Sequence, residues 1–156
     1  MTTEASSRQS LLAVSLAEEV RAVAEADGIA AVVSGCVGPR GDGSAPGTAM
    51  TPEEAERYHA VQIGTFATET ADQVTAMTMT NAEEAVGVVR AASAAGIPAA
   101  ISSTVETDGR LPTGQPLHEA IEQVVAATGA RARISWSTAP TPLTSPMHWQ
   151  PTGRGG

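Results

Sequence analysis

Aromatic side chains are scarce in this chain: Phe, Trp and Tyr make up 3% of its 156 residues. A core without them must be assembled from Ala, Val, Ile and Leu. Such side chains remove less apolar area per residue from water, so modest stability is expected. Cysteine is rarer still. Cys36 stands alone, which excludes an intrachain disulfide. Positive charge is also short, with Lys and Arg totalling 9 against 17 Asp and Glu, for a net charge of -8. Phosphate backbones are bound by basic faces, so no nucleic acid is expected as a partner, and no anionic membrane surface either. No apolar run approaches the roughly 20 residues of a membrane span, and residues 1–10 carry no apolar signal-peptide core. These absences point to a cytoplasmic protein.

What is present alternates regularly. Residues 1–10 read as a disordered lead, 11–138 as one domain, and 139–156 as an irregular tail rich in Pro and Gly. Leu11 to Ala26 has helical spacing, with Leu12, Leu16, Val20 and Val23 on one apolar stripe. Ile29 to Val33 is a short apolar run without alternation, as expected of a strand buried on both faces. Thr51-Pro-Glu-Glu54 is a helix start, with a Thr cap, Pro in the first turn and two acids favouring the dipole. That helix runs to about Thr70, and Val74 to Met79 is a second strand. Asn81 caps a helix from Ala82 to Ala95, and Gly96 ends it. Pro98 to Thr104 reads as a third strand. Pro116 opens a helix to Thr128, Gly129 ends it, and Arg131 to Trp136 is a fourth strand. Helix and strand in alternation predict an α/β fold of about four parallel strands with right-handed crossover helices.

Two loops carry the functional signal. One is Ser34-Gly-Cys-Val-Gly-Pro-Arg-Gly-Asp-Gly43, and the other is Ser103-Thr-Val-Glu-Thr-Asp-Gly-Arg-Leu-Pro-Thr-Gly-Gln-Pro-Leu117. Each follows an apolar run and leads into a helix, the position where parallel α/β folds build their sites. With Met50-Thr-Pro-Glu-Glu-Ala-Glu-Arg-Tyr-His-Ala-Val-Gln-Ile63 and Thr78-Met-Thr-Asn-Ala-Glu-Glu-Ala85, they resemble the homocysteine S-methyltransferase family. The resemblance runs from about Ile29 to about Pro140.

The resemblance implies a zinc-dependent TIM (β/α)8 barrel, of which this length holds about half, since a whole barrel takes roughly 250 residues. The matched part is strands three to six, without the first, second, seventh and eighth. In the family, homocysteine's thiol binds zinc, ionises and attacks a methyl group on S-methylmethionine or a similar donor; homocysteine and a methyl donor are the implied partners. Bound cations lower a thiol's pKa, and the thiolate is the nucleophile. Three cysteines hold the family's zinc. Ser137 stands at the first of those positions, Ala139 where a histidine is common, and Met77-Thr-Met79 where the family has Glu-Thr-Met. The remaining cysteine pair belongs to the unmatched eighth strand. No zinc is therefore expected here, and no catalytic set is intact. Ser34, Gly35, Gly38, Met77 and Thr104 are the implied substrate-binding positions at the barrel top.

The other candidates have simpler readings. The Gly-rich loop lacks a Walker lysine and the G-x-G-x-x-G spacing. His59, His118 and His148 do not pair at metal-ligand spacing, and His59 reads as a packed helix residue. Glu53-Glu54 and Glu83-Glu84 read as solvated helix-opening acids. Glu106, Asp108 and Arg110 read as a loop network, and Cys36 as a small buried residue. The expectation is a family member inactive by itself. The alternatives are a non-catalytic pseudoenzyme or truncated module that pairs with another chain, and a small Rossmann-like ligand-binding protein. Half a barrel exposes two strand edges, so self-association or a partner chain is expected.

Overall fold

The computed structural model describes residues 3–43, 48–129 and 132–134. The elements run α1 (Thr3–Ala26), β1 (Ser34–Val37), α2 (Pro52–Thr68), β2 (Gln73–Met79), α3 (Ala82–Ala95), β3 (Ala99–Ser103), α4 (Leu117–Thr128) and β4 (Ala132–Ile134). The four strands form one parallel sheet in the order β1-β2-β3-β4. No strand is skipped and the order never reverses. A doubly wound sheet needs such a reversal to make its crevice, so the Rossmann-like alternative is set aside. The arrangement is the α/β, partial-barrel fold expected from the sequence. Among the described residues, no helix is long and apolar enough to cross a membrane.

One face of the sheet carries the helices. Gly35 and Val37 of β1, Val74 and Ala76 of β2, and Ala99 and Ile101 of β3 point to that face and are buried. They meet Ile63 and Phe66 of α2, Val86 and Val89 of α3, and Ala120 and Val124 of α4 in one core. Gly35 is required there: a Cβ would lie 2.5 Å from the Phe66 ring. Gly87 does the same between helices, since a Cβ would lie 2.4 Å from Ala55 Cβ and 2.8 Å from the Pro52 carbonyl.

Helix ends follow the sequence closely. Thr51 and Glu54 form a reciprocal capping box on α2. The Asn81 side chain accepts the Glu84 N–H at 2.8 Å to cap α3. Gly96 and Gly129 stop α3 and α4 in the left-handed region, at φ 73° and 63°.

Four expectations are corrected. α1 begins at Thr3, not at Leu11, and Ser10 on it is buried; a polar helix turn was read as a lead. The α1 stripe is left open, with Leu12, Leu16, Val20 and Val23 all more than 60% exposed, while Ser10 and Val14 are buried. The first strand is Ser34–Val37 and not Ile29–Val33, and Ile29 and Val32 are exposed at 61% and 68%. Its burial alternates instead of covering both faces, as does that of β2, because the helices cover one face of the sheet. Cys36 is exposed, on the face opposite the helices. Asp72 explains the late strand start: its carboxylate accepts the Val33 N–H at 2.8 Å and pairs with Arg21, tying α1 and β1 to the foot of β2.

Candidate functional site

The C-terminal ends of the strands carry the loops expected to matter. After β1 the chain swings over the end of β2. Gly43 lies so close to Thr78 that a Cβ there would be 2.7 Å from Thr78 Oγ1. Thr104, just past β3, donates its hydroxyl to the Gly43 carbonyl at 3.0 Å. Thr78 has φ 54°, a strained value for a β-branched residue, and it sits in the register shift between Ala76 and Met79. The loop after β3 is ordered by its own polar groups. The Glu106 N–H reaches the Arg110 carbonyl at 2.7 Å, the Arg110 N–H reaches Asp108 Oδ1 at 3.1 Å, and the Arg110 guanidinium reaches the Gly114 carbonyl at 2.9 Å. The network expected from Glu106, Asp108 and Arg110 is present, with Glu106 acting through its backbone.

The centre of this end is Glu84, which the sequence reading placed in solvent. Its side chain is buried. Glu84 Oε1 takes the Arg40 N–H at 2.7 Å and stands 3.0 Å from His59 Nε2. Asn81 Nδ2 stands 3.4 Å from Oε2. Burial opposes ionisation of this carboxyl. The His59 hydrogen bond, the Arg40 N–H and the nearby imidazole outweigh it, and the pKa falls below its ordinary value. One carboxylate thus joins the β1 loop to α2 and α3. Two signals mark the pair in the sequence. Asn81-x-x-Glu84 has capping-box spacing. His59 also falls in helical phase with the buried Ala55, Ile63 and Phe66.

The five implied substrate positions separate. Gly38 and Thr104 lie just beyond β1 and β3, and Met77 is 38% exposed near the end of β2. Ser34 opens β1 and Gly35 lies within it, so neither is a barrel-top loop position. The Ser34 hydroxyl is 2.7 Å from Thr75 Oγ1 on the face opposite the helices. Ser137 and His148 lie outside the described residues. His118 is exposed on α4.

A cleft of about 550 Å³ runs beside β1, between α1 and α2, and Ser34, Cys36, Tyr58 and Gln62 line it. A void of about 10 Å³ between α3, β3 and α4 has room for no more than a water. Among the described residues, no group of three or more His, Cys, Asp and Glu is arranged to hold a metal ion. The donor set does not fit a three-thiolate zinc site, because the 156 residues contain one cysteine.

No curated protein matches the sequence significantly. Among solved structures, the apo form of the homocysteine methyltransferase MmuM from Escherichia coli is similar, with TM-score 0.72 and 20% identity. The match covers 87% of this chain and 51% of that one, so the chain spans about half the length of the barrel it resembles. Residues 2–137 match the family described as Homocysteine S-methyltransferase. The chain therefore belongs to the homocysteine S-methyltransferase family.

Proposed function

We propose that this chain is a cytoplasmic half-barrel module of the family that does not by itself transfer a methyl group to homocysteine. It keeps the strand ends and loops from which the family builds its substrate pocket. Thiol activation is what it lacks. The observation that carries this reading is the isolation of Cys36, an exposed strand residue and the single cysteine in the sequence. A hydroxyl at Ser137 is a poor substitute for a thiolate at neutral pH. Met77, at the position where the family has glutamate, supplies no carboxylate for an amino group. Gly38, Met77 and Thr104 remain the positions offered to homocysteine or a methyl donor such as S-methylmethionine. Ser34 offers its hydroxyl on the strand face opposite the helices, whereas Gly35 packs under Phe66 on the helix face. Elemental analysis of protein purified in zinc-containing buffer tests the reading. Far less than one zinc per chain is expected; a ratio near one would overturn it.

A further inference from the structure

The segment after β1 keeps its place by polar contacts and not by burial. None of residues 38–43 is buried. Two hydrogen bonds tie its backbone to the elements beneath it. The Arg40 N–H donates to Glu84 Oε1 at 2.7 Å, and the Gly43 carbonyl accepts the Thr104 hydroxyl at 3.0 Å. Segments with few buried apolar contacts open before the core does.

The Glu84 tie is built for one protonation state. The Arg40 N–H, His59 Nε2 and Asn81 Nδ2 stand 2.7, 3.0 and 3.4 Å from its oxygens. An ionised carboxylate only accepts, so His59 Nε2 faces it as a donor. Three donors thus converge on Glu84, and among the described residues no acceptor reaches its carboxyl oxygens. Burial works against the charge, yet the His59 bond and the Arg40 N–H hold this carboxyl below its ordinary pKa.

His59 is the titratable group that faces Glu84 among the described residues, with the Tyr58 ring edge-on to it at 4.9 Å. Neighbouring charges are engaged elsewhere. The Arg40 guanidinium turns to the Thr48 carbonyl at 3.2 Å, Arg90 pairs with Glu53 at 2.9 Å, Glu83 takes the Gln123 amide of α4 at 3.3 Å, and Glu54 closes the capping box on α2.

A proton on Glu84 adds a fourth donor to this cluster. It also removes the charge that strengthens the bond from Arg40. One of the partners must then give way. Asn81 caps the helix that carries Glu84, and His59 sits on α2, whose backbone touches α3 at Gly87. The Arg40 N–H alone belongs to an unburied loop. We infer that Glu84 is a proton-operated latch: ionised, it holds residues 38–43 at the strand ends, and protonated, it releases the Arg40 end of that segment while α2 and α3 stay packed. Gly38 lies two residues from Arg40, so Glu84 is a positioning residue for it.

The latch rests on these hydrogen bonds and not on the loss of methyl transfer, so the zinc result leaves it untouched. NMR of the whole chain between about pH 7 and about pH 3.5 tests it. The Arg40 amide is expected to shift in one step shared with the Glu84 carboxyl carbon, below about pH 4.3. Across that step its exchange protection, corrected for the intrinsic effect of pH, is expected to fall about tenfold or more, the scale of one hydrogen bond to a charged group. Amides of Val86, Val88 and Val89 are expected to keep theirs. Glu84→Gln should abolish the step, and Thr104→Val, which cuts the other tie, should preserve it. The wild-type titration decides alone if Glu84→Gln does not fold. An Arg40 amide that stays protected while Glu84 titrates would overturn the inference. So would a step that persists in Glu84→Gln, or loss of protection at Arg40 and α3 together, which would mean that the whole fold opens.

Discussion

His59 Nε2 on α2 stands 3.0 Å from Glu84 Oε1 on α3, with both side chains buried to within a few per cent. The same oxygen holds the backbone of Arg40 in the loop after β1. Helix–helix packing and loop placement therefore share one carboxylate. Removing a buried hydrogen-bonding carboxylate leaves its partners unsatisfied and costs about 1–3 kcal/mol, or more where a charged group is involved. Glu84→Ala is expected to fall in that range by urea denaturation. Glu84→Gln, which can still accept from Arg40, should lose less. A Glu84→Ala variant within 1 kcal/mol of wild type would show that the pair contributes little.

The same carboxylate sets an acid limit. Its folded pKa is depressed, so it stabilises the fold above its unfolded value, about 4.3, and that contribution is lost as pH falls through the folded value. Wild-type stability is expected to fall more steeply below about pH 4.3 than that of Glu84→Gln, which has no proton to take up there. Parallel stability curves for the two proteins between neutral pH and pH 3 would contradict this.

Two glycines should respond in opposite directions to alanine. At Gly87 the new methyl group would collide with Ala55 and with backbone of α2, and overpacking of this kind costs about 1–3 kcal/mol. At Gly64, inside α2, nothing lies within 4 Å of a Cβ, and Ala is the better helix former by about 0.5–1 kcal/mol. Gly64→Ala should raise the melting temperature by a few degrees, and Gly87→Ala should lower it. Equal shifts would mean that the α2–α3 approach is looser than described.

Thr78 holds a left-handed φ of 54°. Such strain costs about 1–3 kcal/mol, more than the roughly 0.5–1 kcal/mol of backbone entropy that glycine adds. Thr78→Gly is therefore expected to leave the melting temperature unchanged or slightly higher. A clear drop would show that the Thr78 side chain contributes more against Gly43 than its backbone costs.

Much of the fold was legible because its signals are local. The Thr51 box, the Asn81 cap and the Gly96 and Gly129 stops need only neighbouring residues, and they fixed three helices almost to the residue. The first strand was misplaced because apolar character alone favoured Ile29–Val33. What holds Ser34–Val37 in the sheet is long-range pairing with β2 and the Asp72 tie, which no local pattern reveals. The exposure of the α1 stripe is not legible for a related reason. Amphipathic spacing shows that a face is apolar, not which neighbour it meets. Of the site, the Glu106–Arg110 network was legible, while the burial of Glu84 depends on His59, 25 residues away.

Restoring two of the family's groups should not restore its chemistry. Ser137→Cys with Met77→Glu adds one thiolate and one carboxylate to a chain with a single cysteine. A site with one sulfur ligand in place of three binds zinc too weakly to ionise a thiol. The double variant is expected to form no more methionine than a protein-free control.

The central claim is that the chain retains the family's fold without its thiol-activating chemistry. Its most direct test is methionine formation by the purified wild-type chain, supplied with homocysteine, S-methylmethionine and zinc and followed by mass spectrometry. The account predicts a rate indistinguishable from the protein-free control. Methionine formation that rises in proportion to the concentration of the chain would contradict it.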